Sequence, residues 1–270
     1  LRLSKYSSRE YVPVIGDLMT ARWSFEALAV AQFKNNDFEK HFFEYKMEMS
    51  NFDWYVMLTD QLNSDLQLIG KYKKSPEFQD DLKNYFSKFN TYIGTLSAVA
   101  DIPIPGQWKS DLNAGNYTLD IEKEAKAYLD TLKKKFNALW KEANSLHTSV
   151  NDSLERVIGK DGLDRLRENY ENKRLKNLVL GYDTEEKIYE TKNKIIRKSE
   201  PGYMVATSKS GRAHFYAPIK KIGNLRIDTF WFNMLVVWVE SVMLYIVLYF
   251  NLLRRLLEYF ENLRLPKAEV

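Results

Sequence analysis

Between Phe230 and Leu253 the chain has no Lys, Arg or Asp and only one Glu. As an α-helix this run would be roughly 36 Å long, enough to cross a hydrocarbon core of about 30 Å. The alternative is a buried core helix of a soluble protein. The length of the run and the aromatic residues at its ends, Trp231 and Tyr249, favour the bilayer. Residues 36–200 differ sharply, being rich in Lys, Glu, Asp and Asn. A formal charge of +4 and 45% hydrophobic residues, averaged over 270 positions, hide this contrast.

Basic residues follow the run at once, as Arg254 and Arg255, and then as Arg264 and Lys267. Charges placed directly after a span favour the cytoplasmic side. Lys220, Lys221 and Arg226 make the other flank basic too, which weakens the asymmetry. The expected orientation puts the tail inside and the residues before Asp228 outside. At 100° per residue, Asn233, Glu240 and Asn251 share one helix face, because separations of 7 and 11 return a helix to the same side. A mid-bilayer Glu costs about 2.5–3.5 kcal/mol if lipid surrounds it, so this face should meet protein. It is either a gating or pathway face or a hydrogen-bonded helix contact.

A second apolar region, Val12–Phe33, is too short to span and carries Arg22 and Glu26 one turn apart. Asp17 or Thr20 is positioned to cap its helix. A re-entrant or interfacial helix and an amphipathic helix of a soluble domain both fit. The run Ala21-Arg22-Trp23-Ser24-Phe25-Glu26-Ala27-Leu28 resembles the Arg-Trp-x-Phe/Tyr-Glu-Ala-Leu signature of White-type (ABCG-like) ABC transporters. In that family the signature lies in the re-entrant turn at the outer face, between the fifth and sixth transmembrane helices. Asp228-Thr-Phe-Trp-Phe-Asn233 is similar to the entry of the sixth helix in long bacterial members, especially those of Bacteroidetes. The resemblance covers roughly residues 10–40 and 215–260. The intervening segment is far longer than the usual family loop and lacks the loop cysteines of animal members, the chain having none.

That resemblance implies the C-terminal part of an exporter's membrane subunit, working as a dimer and often moving lipids or other hydrophobic compounds. No Gly-x-x-x-x-Gly-Lys-Ser/Thr loop occurs, so ATP and Mg²⁺ are expected at a nucleotide-binding domain elsewhere and no cofactor in this chain. The chain opens at Leu1 with neither Met nor a signal peptide, and it reads as cut from something longer. The expected location is a bacterial inner membrane, with residues 36–226 periplasmic. The partners are lipid, the remaining transmembrane helices and the ATPase domain. Arg22, Glu26, Asn233 and Glu240 are the gate or pathway candidates. The rival reading is a membrane-anchored helical sensor or adaptor whose external bundle binds a partner.

The middle of the chain reads as helices. One stripe is Phe52, Tyr55, Val56, Thr59, Leu62, Leu66 and Ile69; a second is Leu82, Tyr85, Phe86, Phe89, Ile93 and Leu96. The longest runs from Ile121 through Phe136 to Leu146 and Val150. A fourth, Leu154 to Tyr170, is interrupted by Gly159 and Gly162, and residues 183–198 suggest a short charged helix. Asp101-Ile-Pro-Ile-Pro-Gly106 is the expected internal linker. Residues 203–216, with a turn at Ser208-Lys-Ser-Gly211, suggest a β-hairpin leading to the membrane.

The expected fold is therefore all-α with one small hairpin. Its parts are a re-entrant segment (1–35), an external helical bundle (36–200), a hairpin and approach (201–226), a transmembrane helix (227–255) and a cytoplasmic tail (256–270). No catalytic or metal constellation is present: His41, His147 and His214 are widely spaced, and Ser208-Lys-Ser210 suits a turn. Short clusters such as Lys71-Tyr72-Lys73-Lys74 and Lys133-Lys134-Lys135 alternate with acids, which argues against nucleic acid.

Overall fold

The computed structural model describes residues 10–73, 79–105, 112–182, 187–191 and 194–263. Three long helices form its arm: α3 (Phe43–Tyr72), α4 (Gln79–Ala100) and α5 (Leu119–Ile158). Before them come α1 (Val14–Asp17) and α2 (Thr20–Lys34); after them come α6 (Lys160–Tyr170) and α7 (Lys173–Leu180). The chain ends in α8 (Thr229–Tyr249) and α9 (Leu252–Leu263).

The helix ends have local causes. Thr118 caps α5 by accepting a hydrogen bond from the Ile121 amide, with Asp120 and Glu122 in the first turn favouring its positive end. The helix stops at Gly159, whose φ of +74° lies outside what a helix can hold. Asn172 caps α7 through the Leu175 amide, and Gly181 closes it in the left-handed conformation. Asp101, at φ 54°, ends α4 ahead of the expected Ile-Pro-Ile-Pro linker, whose Gly106 lies outside the described residues.

The stripes on α3, α4 and α5 bury one another. Leu62, Leu66, Ile69, Phe89, Leu96, Ala125, Leu132 and Phe136 form one core. Paired contacts such as Tyr55 with Phe136 and Lys133 with Asp60 show α5 running antiparallel to α3. Leu146 departs from the expected stripe and is exposed: beside the first turn of α3 the packed face of α5 is held by Ala143 and by His147, whose ring lies 5.0 Å from that of Phe42. Its last turns pack Val150 and Leu154 on Phe38 and Phe42, together with Leu163 and Leu166 of α6. A further cluster joins α2 to the near end of the arm through Val30, Phe33, Phe43, Val179, Leu180 and Tyr203.

Both expectations for residues 183–216 need correction. Where the charge pattern suggested a helix, β1 (Ile188–Glu190) and β2 (Ile195–Arg197) form an antiparallel hairpin, with Tyr189 opposite Ile196. Residues 183–186 and 192–193 lie outside the description. Ile188 and Tyr189 on one strand and Ile195 and Ile196 on the other outweigh the helix-like charge spacing. Tyr92 pins the hairpin to the arm: its hydroxyl donates to the Ile195 carbonyl and accepts from the Ile195 amide. Lys88, almost fully buried, pairs with Asp65 at 2.9 Å and with Glu190 of β1.

The second hairpin lies downstream of the expected one. β3 (Ile219–Ile222) pairs antiparallel with β4 (Leu225–Asp228) around Gly223-Asn224, with Gly223 at φ 59° as a tight two-residue turn requires. Residues 204–209 and 212–214 form no strand, and the Ser208 hydroxyl turns back to Ser210 at 2.8 Å. Asp228 then caps α8 through the Phe230 amide.

Among the described residues one helix is long and apolar enough to cross a membrane: α8, 21 residues, with little of it covered by the rest of the chain. The expected span to Leu253 or beyond is shortened. Asn251 adopts φ 50°, breaking the helix after Tyr249, and α9 begins at Leu252. The segment expected as a tail from 256 is thus helical as far as Leu263, and residues 264–270 lie outside the description.

Candidate functional site: a buried charge cluster between α2 and α8

Helices α2 and α8 pack antiparallel. Lys34, at the end of α2, pairs with Asp228 at the start of α8 (2.7 Å), and one to two turns deeper Glu26 meets Asn233. Glu26 has no exposed surface. Its Oε1 accepts from the Tyr216 amide (3.1 Å), while Oε2 accepts from Lys220 Nζ (2.7 Å) and Asn233 Nδ2 (2.9 Å). Lys220 also donates to Asn233 Oδ1 (2.7 Å), and Asn233 reaches back to the Trp23 carbonyl (3.1 Å). Three residues from distant parts of the chain thus satisfy one another in a dry setting, which a buried charge needs if it is to remain charged.

The strand alternation of β3 explains the approach of the lysine. Lys220 points inward and is fully buried, while its neighbour Lys221 is not. Burial pushes the Lys220 ammonium down to about 8, with the Glu26 carboxylate opposing that shift. The Trp23 ring lies under both cations of the cluster: Lys220 Nζ is 4.4 Å from its centroid and the Arg22 guanidinium carbon 3.8 Å.

Arg22 forms the lower edge. Nη2 lies 3.3 Å from Asp17 and Nη1 3.7 Å from Glu26. Asp17 is shared with Arg212 at 3.2 Å, and Arg212 also donates to the Val12 carbonyl, tying α1 to the segment before β3. Although Arg22 is only 8% exposed, its Nε and Nη1 find no hydrogen-bond acceptor among the described residues. Glu240, further along α8, lies close enough to act electrostatically on Arg22, and its buried Oε2 likewise has no donor among the described residues.

Arg22, Glu26 and Asn233, singled out in the sequence, come together; Glu240 stands one layer deeper, and Asn251 leaves the shared face because it sits in the break after α8. Sequence reasoning missed Lys220 by counting it as a flanking surface charge. Its available signal was the Gly-Asn turn, which fixes β3 as a strand and makes Lys220 and Lys221 face opposite ways. No nucleophile–base pair joins the cluster, and among the described residues no group of His, Asp and Glu is arranged to hold a metal. His214 Nε2 donates to the Pro201 carbonyl at 2.9 Å, and burial pushes its imidazole down to about 4. What the arrangement does chemically is fix two helices through paired charges.

Gly211 sets the clearance over α8. At φ +79°, an added Cβ would come 2.8 Å from Phe232 Cζ, whereas Gly223, at φ +59°, has open space around it. Gly211→Ala should therefore destabilise the chain by more than the ~1–2 kcal/mol left-handed backbone cost, which Gly223→Ala alone should show. Thermal unfolding in mild detergent distinguishes the two; equal losses would remove any role for the Phe232 contact.

No protein-family model, no curated protein and no solved structure matches this chain.

Proposed function

We propose that this chain is the C-terminal membrane and external portion of an ATP-driven exporter resembling the White type, with α1–α2 as its outer re-entrant gate and α8 as the last spanning helix. The observation that carries this reading is the antiparallel α2–α8 pair closed by the buried Glu26–Lys220–Asn233 cluster. At 15 residues α2 is about 22 Å long, too short to span, so it descends beside α8 and turns back through α1. The turn exposes Val14, Ile15, Leu18 and Met19, an apolar tip suited to lipid or to further membrane helices. The unanswered polar atoms of Arg22 and Glu240 support neighbouring helices that complete the pathway face.

In this reading ATP and Mg²⁺ act at a nucleotide-binding domain outside the chain, a dimer forms the pathway, and the cargo is a lipid or other hydrophobic compound. The arm and both hairpins lie on the periplasmic side of a bacterial inner membrane. Topology tests the orientation. Cysteines placed singly at Lys141 and Glu258, both exposed in a chain with no cysteine, should react differently with an impermeant maleimide in intact spheroplasts. Position 141 should label and 258 should not; the reverse pattern overturns the orientation. ATPase measurements on the full-length protein test the class, with Glu240→Leu expected to lower coupled activity. Absence of any ATPase overturns the exporter and favours a membrane-anchored sensor or adaptor.

A further inference from the structure

Helix α9 is the element for which the spanning reading has no use. Helix α8 ends in two hydrogen bonds, from the Phe250 amide to the Ile246 carbonyl and from the Asn251 amide to the Leu248 carbonyl. Asn251 then takes a left-handed φ of 50°, and the Arg255 amide bonds back to the Asn251 carbonyl to begin a new helix. Asn adopts this conformation more readily than most residues, so the break is written into the sequence. At 12 residues α9 is about 18 Å long, too short to cross a bilayer.

Its residues divide cleanly around the helix. Taking Leu252 as origin, Leu253 and Leu257 fall at about 100° and 140°, whereas Arg254, Glu258 and Arg255 fall at about 200°, 240° and 300°. Leu252, Leu253 and Leu257 are 41%, 62% and 56% exposed, an apolar strip that water would penalise. On the opposite side Arg254 pairs with Glu258 at 2.8 Å with most of its surface in solvent. The strip is continuous with the end of an apolar helix long enough to span, so the medium that covers α8 is also the nearest cover for α9.

We propose that α9 lies flat in the membrane–water interface, its leucines among the acyl chains and its Arg254–Arg255 edge on the phosphates of anionic lipid headgroups. This rests on α8 spanning the bilayer. Helices with an apolar face opposite a charged one bind in this manner, and the arginines, Arg255 free of the Arg254–Glu258 pair, gain from the negative surface of an anionic leaflet.

The test uses the whole chain in proteoliposomes, with one nitroxide at a time on Val242→Cys, Leu257→Cys or Glu258→Cys. Oxygen concentrates in the acyl region, and a nickel chelate stays in water. In vesicles of phosphatidylcholine with phosphatidylglycerol, position 257 should favour oxygen and position 258 nickel, several-fold apart in their accessibility ratio. Arg254→Gln with Arg255→Gln should raise nickel access at 257 in these vesicles, with little effect in pure phosphatidylcholine. Equal nickel access at 257 and 258 overturns the interfacial helix. Shielding of 257 from both reagents, with spin coupling between chains, overturns it in favour of helix pairing. No effect of the arginine changes in anionic vesicles overturns the headgroup contact. Position 242 separates the two readings: oxygen access there upholds the span even if α9 proves to lie in water, while nickel access there removes the span itself.

Discussion

Replacing Glu26 with Leu should cost about 3–5 kcal/mol, because it leaves the Lys220 ammonium buried beside an aromatic ring without its counter-charge. Lys220→Met should cost less, because Glu26 keeps Arg22 at 3.7 Å and its bonds from Asn233 and the Tyr216 amide. The double variant should cost much less than the sum of the two, since an apolar pair of comparable volume removes both desolvation penalties together. Asn233 keeps its bond to the Trp23 carbonyl in every variant, so α8 retains one polar tie to α2. Thermal or denaturant unfolding of the purified chain in mild detergent gives the three values. Additive losses would mean that Glu26 and Lys220 stabilise the fold independently of each other.

The second large effect belongs to the arm. Phe136 has no exposed surface and packs beside Tyr55, with ring centroids 5.1 Å apart. Phe136→Ala should remove about 3–5 kcal/mol, combining lost burial with the void left among long helices that cannot readily close it. Leu146 occupies the same heptad-like stripe ten residues on, yet 46% of it is exposed. Leu146→Ala should stay within about 0.5 kcal/mol. Comparable losses at the two positions would place both in one core and contradict the packing of α5.

The contrast between these two residues shows what periodicity conveys. Hydrophobic spacing located α3, α4, α5 and the apolar α8, because each buries a stripe long enough to repeat several times. It did not reveal where a stripe drifts off the contact face, since over the 40 residues of α5 that depends on which side is turned to α3. Short elements were less legible. Ile188-Tyr189 and Ile195-Ile196 carry a β signal of two residues each, too brief to outweigh a run of charged residues with helical spacing. The Gly223-Asn224 turn was readable, but the Ser208–Gly211 cluster offered a competing turn just upstream.

At the candidate site, Arg22, Glu26 and Asn233 were recognisable as polar residues in apolar surroundings, which is costly unless they are paired. Lys220 was not, because a lysine beside other basic residues has the composition of a solvated flank. Only the pairing of β3 with β4 turns it inward. The same finding changes the charge balance around α8: Lys220 is neutralised by Glu26, leaving Lys221 and Arg226 as that flank's free-standing contribution to the inside–outside asymmetry.

The length of α5 has a mechanical consequence. Its 40 residues make a rod about 60 Å long, gripped near its last turns by Phe38 and Phe42, which directly follow α2. The far end lies about 50 Å from that grip, so a tilt of about 5° there would carry it through about 4 Å. Displacements of a fraction of a side chain at the foot are thus magnified to most of a helical turn at the tip. Conversely, a load applied at the tip reaches the foot with about a tenfold advantage over one applied about 5 Å from the grip.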